Sequence, residues 1–164
     1  MPELLEKVEG HRERSTTAHP RKETEVRRSL PTDTFILKDE DAQEVWYSHG
    51  LLPDEALAFS LKNSVLSYTV LLNGEPIICF GVNSNGILSN EGVIWLLSSS
   101  RINEVSYRFV KRSRKYVDFI LSLYPMLYNY VSINNKRTLG WLEAIGADIE
   151  EARPYGLYNQ LFRR

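Results

Sequence analysis

The chain predicts an α/β domain of the α+β kind, with a mixed central sheet of about seven strands in the order β-αα-β-β-β-α-β-α-β-β. Three observations carry that prediction. Asn73-Gly74, the preferred two-residue turn between twisted strands, separates the runs Val65 to Leu72 and Glu75 to Val82. Gly92 to Leu97, a helix-periodic stretch and a second apolar run follow one another as strand, helix and strand, the signature of a right-handed parallel crossover. The segment Tyr128 to Ile149 then reads as strand, asparagine pair, short helix, glycine stop and strand.

Taken in order, residues 1–31 are dominated by Glu, Lys, Arg, Ser and Thr, and bury too little apolar surface to offset the entropy of ordering. They read as a disordered arm, helical at most over Glu3 to Glu9, or as an arm that orders on a partner. One domain is expected over residues 32–164. Thr34 to Leu37 suits a first strand. A capped helix follows from Asp39 to about Ser48, and a second from Leu51 to Asn63 with Pro53 early in it and Leu57 and Leu61 on one face. In the hairpin, Leu66, Tyr68, Val70 and Leu72 alternate onto one face. Gly92 to Leu97 is apolar on both faces and reads as a central strand.

Ile102, Val105, Phe109, Tyr116, Ile120 and Leu123 recur at steps of three, four or seven, which predicts a helix over Ile102 to Leu123 ended by Pro125. Met126 to Ile133 reads as a strand. Asn134 and Asn135 can cap a helix from Lys136 to Ile145, on which Leu139, Leu142 and Ile145 share a face, and Gly146 supplies the left-handed stop. Ala147 to Glu150 and Leu157 to Phe162 are the last strands.

Composition narrows the function classes. With 43% hydrophobic and 11% aromatic residues in 164, the chain supports one core and no second domain. A net charge of -1 argues against global attraction to nucleic acid or membrane. No stretch approaches the ~18 apolar residues of a membrane span, and the N-terminus is charged where a signal peptide is apolar, so a reducing cytoplasm is the expected site of synthesis. The single cysteine, Cys79, lies in an apolar run and reads as a buried inert thiol, and the three scattered histidines make a metal centre unexpected.

Ser98, Ser99, Ser100, Arg101, Ile102 and Asn103 stand where a helix N-terminus meets the end of a parallel strand, a natural seat for a pyrophosphate. The run Arg108 to Lys115 places Arg108, Lys111, Arg112 and Lys115 on one helix face, which reads first as a solvated surface. His49, in the loop after the first helix, and Glu91, before the central strand, are the candidates for a general base.

Asn135, six residues and Leu142, then Gly146-Ala147, resembles the C-terminal motif of the GCN5-related N-acetyltransferase (GNAT) superfamily, whose pattern is asparagine, six residues, usually tyrosine, then Gly-Phe. The element order over residues 33–164 is similar to that of the same fold. The resemblance implies acetyl coenzyme A as the cofactor to test. It also implies that the parallel strands splay at their C-terminal ends, that the pantetheine arm enters the gap along Trp95, Leu96 and Leu97, that Ser98 to Asn103 takes the pyrophosphate, and that Asn135 borders the site. Two departures stand out. The family turn Gln/Arg-x-x-Gly-x-Gly/Ala has no glycine here, and Leu142 replaces the tyrosine that often reprotonates the thiolate. Glu91 to Ile149 further resembles a small family of GNAT-like proteins of short-tailed bacteriophages, associated with virion morphogenesis or internal virion components.

Two function classes follow: an acetyl coenzyme A-dependent N-acyltransferase acting on a primary amine, or a GNAT-fold phage protein with a degenerate site that serves in virion assembly. The missing glycines and tyrosine tilt the expectation toward the second. Its partners would be phage structural proteins reached through the arm, its place the host cytoplasm or the virion, and nucleic acid is not expected.

Overall fold

The computed structural model describes residues 22–164, so the arm up to residue 21, with its expected helix over Glu3 to Glu9, lies outside the described residues. The first strand is β1 (Thr24–Arg28), not Thr34 to Leu37. Apart from Val26, which packs on the core, polar contacts hold it. It pairs antiparallel with β2 (Leu66–Leu72), Asn73 bonds both backbone groups of Glu23, and Arg27 grips Asp33 through two bonds of 2.9 and 2.8 Å. Residues 34–37 instead run as irregular chain across the sheet, sending Leu37 into the core and leaving Ile36 exposed.

Helices α1 (Asp39–His49) and α2 (Pro53–Asn63) follow, close to the predicted bounds. The N-cap of α1 is Lys38, and no side chain caps it. The hairpin β2–β3 (Glu75–Ser84) turns on Asn73 and Gly74, both at positive φ, as the Asn-Gly pair requires. β4 (Glu91–Ser98) pairs antiparallel with β3, and its two faces serve two cores. Ile94 and Leu96 join Leu66, Tyr68, Val70, Phe80 and Phe109 beneath α3 (Ser106–Leu123). Trp95 and Leu97 join Leu37, Leu57 and Cys79 on the α1–α2 side. Burial pushes the Cys79 thiol up to about 12, which keeps it protonated and unreactive.

The helix expected over Ile102 to Leu123 is two elements. A 3-10 turn, Ser100–Glu104, is capped by the Ser99 side chain, and Val105, at a non-helical φ of -130°, separates it from α3.

The strand expected over Met126 to Ile133 also divides, into β5 (Met126–Tyr128) and β6 (Val131–Ser132). At the break the Asn129 side chain accepts from the Tyr130 amide, and Tyr130 stacks on Tyr155 with ring centroids 4.1 Å apart. Both interactions draw the chain out of the first sheet. The eight strands among the described residues therefore form two sheets, β1-β2-β3-β4-β5 and β6-β8-β7, with β7 at Arg153–Tyr155 and β8 at Gln160–Arg163. Ala147 to Glu150, expected as a strand, joins no ladder; the Glu150 amide bonds the Arg164 carbonyl, and the Ala147 amide turns back to Leu142 of the preceding helix. The last strand begins at Gln160 because Gly156 and Asn159, both at positive φ, belong to the turn before it.

Between these strands α4 (Lys136–Ala144) ends as predicted. Gly146 at φ 94° and the bonds Gly146 N–H to Glu143 and Ala147 N–H to Leu142 make a Schellman stop.

Gly81 marks the tightest packing in the sheet. A Cβ there would lie 2.4 Å from the Leu66 carbonyl and 2.8 Å from the Ser67 Cβ, both on the neighbouring strand. Gly81→Ala is expected to cost about 1–3 kcal/mol by forcing β2 and β3 apart. Urea unfolding should show the lowered midpoint.

Candidate functional site

β4 and β5 run parallel for three pairs only, Glu91–Met126, Gly92–Leu127 and Val93–Tyr128. Beyond them β4 continues to Ser98 while the other strand turns away into the second sheet, so the pair splays as expected. The resulting wedge lies between the end of β4 on one side and β6 and the start of α4 on the other.

Three groups from α1 and its cap fill the wide end of this wedge. Asp41, fully buried, receives the Ser98 amide at 2.7 Å and the Ser98 hydroxyl at 3.0 Å on one carboxylate oxygen. Its other oxygen takes the Lys38 ammonium at 2.8 Å and the Asn135 side-chain amide at 2.8 Å. Lys38, itself buried, also bonds the Asn135 carbonyl oxygen at 2.9 Å, and its backbone amide donates to the Ser98 carbonyl. Glu44, one turn along α1, accepts from Asn135 and from the Ser132 amide, each at 3.0 Å. Burial pushes the Glu44 carboxyl up to about 7, and the Asp41 charge adds to the rise. The Asn135 and Ser132 bonds and the Lys38 charge oppose it. Asn135 stands at the N-cap of α4, but its side chain makes no capping bond because this network has claimed it.

A cleft of about 1380 Å³ lies beside the network, between the segment Thr34 to Glu40 and the starts of α3 and α4. Of the expected cofactor residues, Leu96, Ser99, Ser100, Arg101, Ile102 and Asn103 line it. Trp141 lines it too, with its indole N–H bonded to Ser113. Trp95 and Leu97 face the opposite core, and Ser98 and Asn135 belong to the buried network. Thr138 Oγ1, buried at the cleft, has no hydrogen-bond partner among the described residues.

At the turn expected to take a phosphate, acids accompany Arg101. With the last small residue of the family pattern set at the start of α3, the pattern falls on Arg101-Ile-Asn-Glu-Val-Ser106, three residues later than Ser98 to Asn103. Glu104 then replaces a glycine. Its carboxylate holds Arg101 Nε at 3.0 Å, while Glu75 holds Arg101 Nη1 at 2.7 Å. The cation expected to meet a phosphate is already paired with two carboxylates, and those carboxylates would repel a second anion. Where the family pattern has a tyrosine, Leu142 borders a cavity of about 440 Å³ with Ile94, Val131 and Leu139. The pairing of Arg101 with two acids and the presence of Leu142 are departures from the family pattern for acetyl coenzyme A.

The two candidate bases are not brought together. Glu91 starts β4 and Ser98 ends it, about 23 Å of strand apart, so Glu91 sits at the closed end of the wedge. His49 is exposed at the end of α1, its Nδ1 2.8 Å from the Ser48 hydroxyl, and lines neither cavity. Beside it the β7–β8 turn packs down on α1, with the Leu157 amide bonded to the Tyr47 carbonyl and Tyr158 stacked on Trp46. Among the described residues no group of three or more metal-ligating side chains occurs, and no helix is long and apolar enough to cross a membrane.

The splayed pair, the strand order and the helix placement define a GNAT acetyltransferase fold, and solved structures agree. A GNAT-family acetyltransferase from Streptococcus pneumoniae superposes with a TM-score of 0.54 at 13% identity, covering 86% of this chain and 96% of its own. An acetyltransferase from Agrobacterium tumefaciens gives 0.56 at 18% identity, covering 88% and 91%. Spermidine N-acetyltransferase from Vibrio cholerae, solved in complex with CoA and spermine, gives 0.56 at 12% identity, covering 85% and 92%. At these identities the likeness is one of fold. In sequence, residues 77–152 match the family model "Bacteriophage T7, probable scaffold protein Gp13", from β3 through α4. That match spans 76 of the 164 residues, and with the fold it is consistent with a phage-associated GNAT-like protein. Among curated proteins no sequence matches.

Proposed function

We propose that this chain is a GNAT-fold bacteriophage protein whose acetyl coenzyme A site is degenerate, and that it acts in virion assembly or as a virion component. The observation that carries the reading is Arg101 clamped between Glu75 and Glu104 at the place of the phosphate seat. The loss of both glycines and of the tyrosine supports it, as does the match of β3 through α4 to a phage scaffold family. The protein works in the host cytoplasm and the assembling particle. Its partners are phage structural proteins, engaged through the N-terminal arm.

Calorimetric titration of the full chain with acetyl coenzyme A tests the degenerate site. No heat at millimolar ligand is the expected result, and micromolar binding that Arg101→Glu abolishes would overturn it. Because Thr24–Arg28 is a strand of the sheet, the deletion that tests the arm removes residues 2–21 and leaves that strand in place. Particle yield in a complemented phage should drop; normal particles would rule out recruitment through the arm.

A further inference from the structure

The pairing of Arg101 bears on the phosphate turn alone; the wide end of the wedge is filled separately, by groups from α1 and its cap. Both backbone groups of Ser98 point away from β3 and are already used, the N–H by the Asp41 carboxylate and the C=O by the Lys38 amide. Across the gap, Asn135 is bonded to the same carboxylate. The two walls are therefore separated only by one carboxylate and a hydrogen bond on either side. No amide-bearing chain can pass between them without breaking bonds to a fully buried charge.

We propose that the Lys38–Asp41–Asn135 brace is a built-in substitute for a pantetheine arm, offering β4 the hydrogen bonds such a ligand would make and barring the wedge to it. The inference rests on the reading of a degenerate site and gives it a second, independent cause. The lysine serves the carboxylate: its ammonium compensates the Asp41 charge, so the brace can sit in the interior without water. The asparagine ties the carboxylate to α4.

Pantetheine, which lacks the nucleotide and all three phosphates of coenzyme A, is the probe that separates the two causes. The full chain and Lys38→Ala/Asp41→Ala, which removes both charges together, are titrated with pantetheine and with acetyl coenzyme A. Asn135→Ala, which keeps the ion pair and cuts only the tie to α4, provides a second opening if the double variant does not fold; melting curves establish which variants are folded. Saturable pantetheine binding by a folded variant, absent from wild type, is the expected result. A folded variant that still gives no heat with pantetheine would overturn the brace as the barrier while leaving the degenerate phosphate seat standing. Pantetheine binding by wild type equal to that of the variants would overturn it as well. Acetyl coenzyme A binding by wild type would instead sink the reading of a degenerate site.

Discussion

Asp41→Ala is expected to lower the stability of the domain by about 3–5 kcal/mol, the cost of leaving one partner of a buried ion pair without the other. The Lys38 ammonium would remain in the interior with only the Asn135 carbonyl oxygen to meet it. The Ser98 amide and hydroxyl and the Asn135 amide would each lose an acceptor, and none faces bulk water. For a chain of this length each kcal/mol moves the melting temperature by about 2–4 °C, so the drop should be plain in a thermal scan. Lys38→Met/Asp41→Leu separates charge from packing. Removing both charges in favour of apolar groups of similar size is often neutral or stabilising, so the double variant should be far milder than Asp41→Ala. A single variant as stable as wild type would mean that water reaches the pair.

What the sequence showed and what it hid divide along the same physical line. Elements that bury apolar side chains at a regular period were legible: α3 through Phe109 and Ile120, the hairpin through Leu66, Tyr68, Val70 and Leu72, and β4 through its two apolar faces. Elements held by polar bonds were not. β1 was hidden because Arg27, Asp33, Asn73 and two arginines of α3, Arg108 and Arg112, hold it, and a run rich in Glu and Arg has the composition of a disordered arm. The division of β5 from β6 turns on one asparagine side chain and one ring stack, neither of which has a periodic signature.

The site shows the same split. Arg101 and the turn were found from their place after a strand, but Lys38, Asp41 and Glu44 were missed: Asp41 stands with Asp39 and Glu40 in a first turn, where acids are ordinarily favourable, and Lys38 before it and Glu44 after it carry no local signal of their own. One signal was available. Asp41 shares the inward face of α1 with Ala42 and Val45, both packed on the second core, and an acid on an apolar face needs a partner. The asparagine motif was read correctly in position and incorrectly in role, since Asn135 bonds α1 rather than its own helix.

Glu44 leads to the second large effect, and its sign is opposite to that of a usual carboxylate. Its folded value, about 7, lies above the ordinary 4.5, so the proton is held more tightly in the native state than in the unfolded chain. Below the ordinary value both states are protonated and Glu44 costs nothing. Between the two values the unfolded chain ionises first, so stability falls as pH rises. Above about 7 both states are ionised and the whole cost is present, up to about 3 kcal/mol for this shift. Glu44→Gln keeps an oxygen for the Ser132 and Asn135 donors and removes the charge that faces Asp41. It should therefore unfold at a higher urea concentration than wild type at about pH 8, by about 1–3 kcal/mol, and match it at about pH 4.5. Equal stability of the two proteins at both values would show that the Glu44 carboxylate remains ionised and hydrated, and that Lys38 already balances both acids of α1.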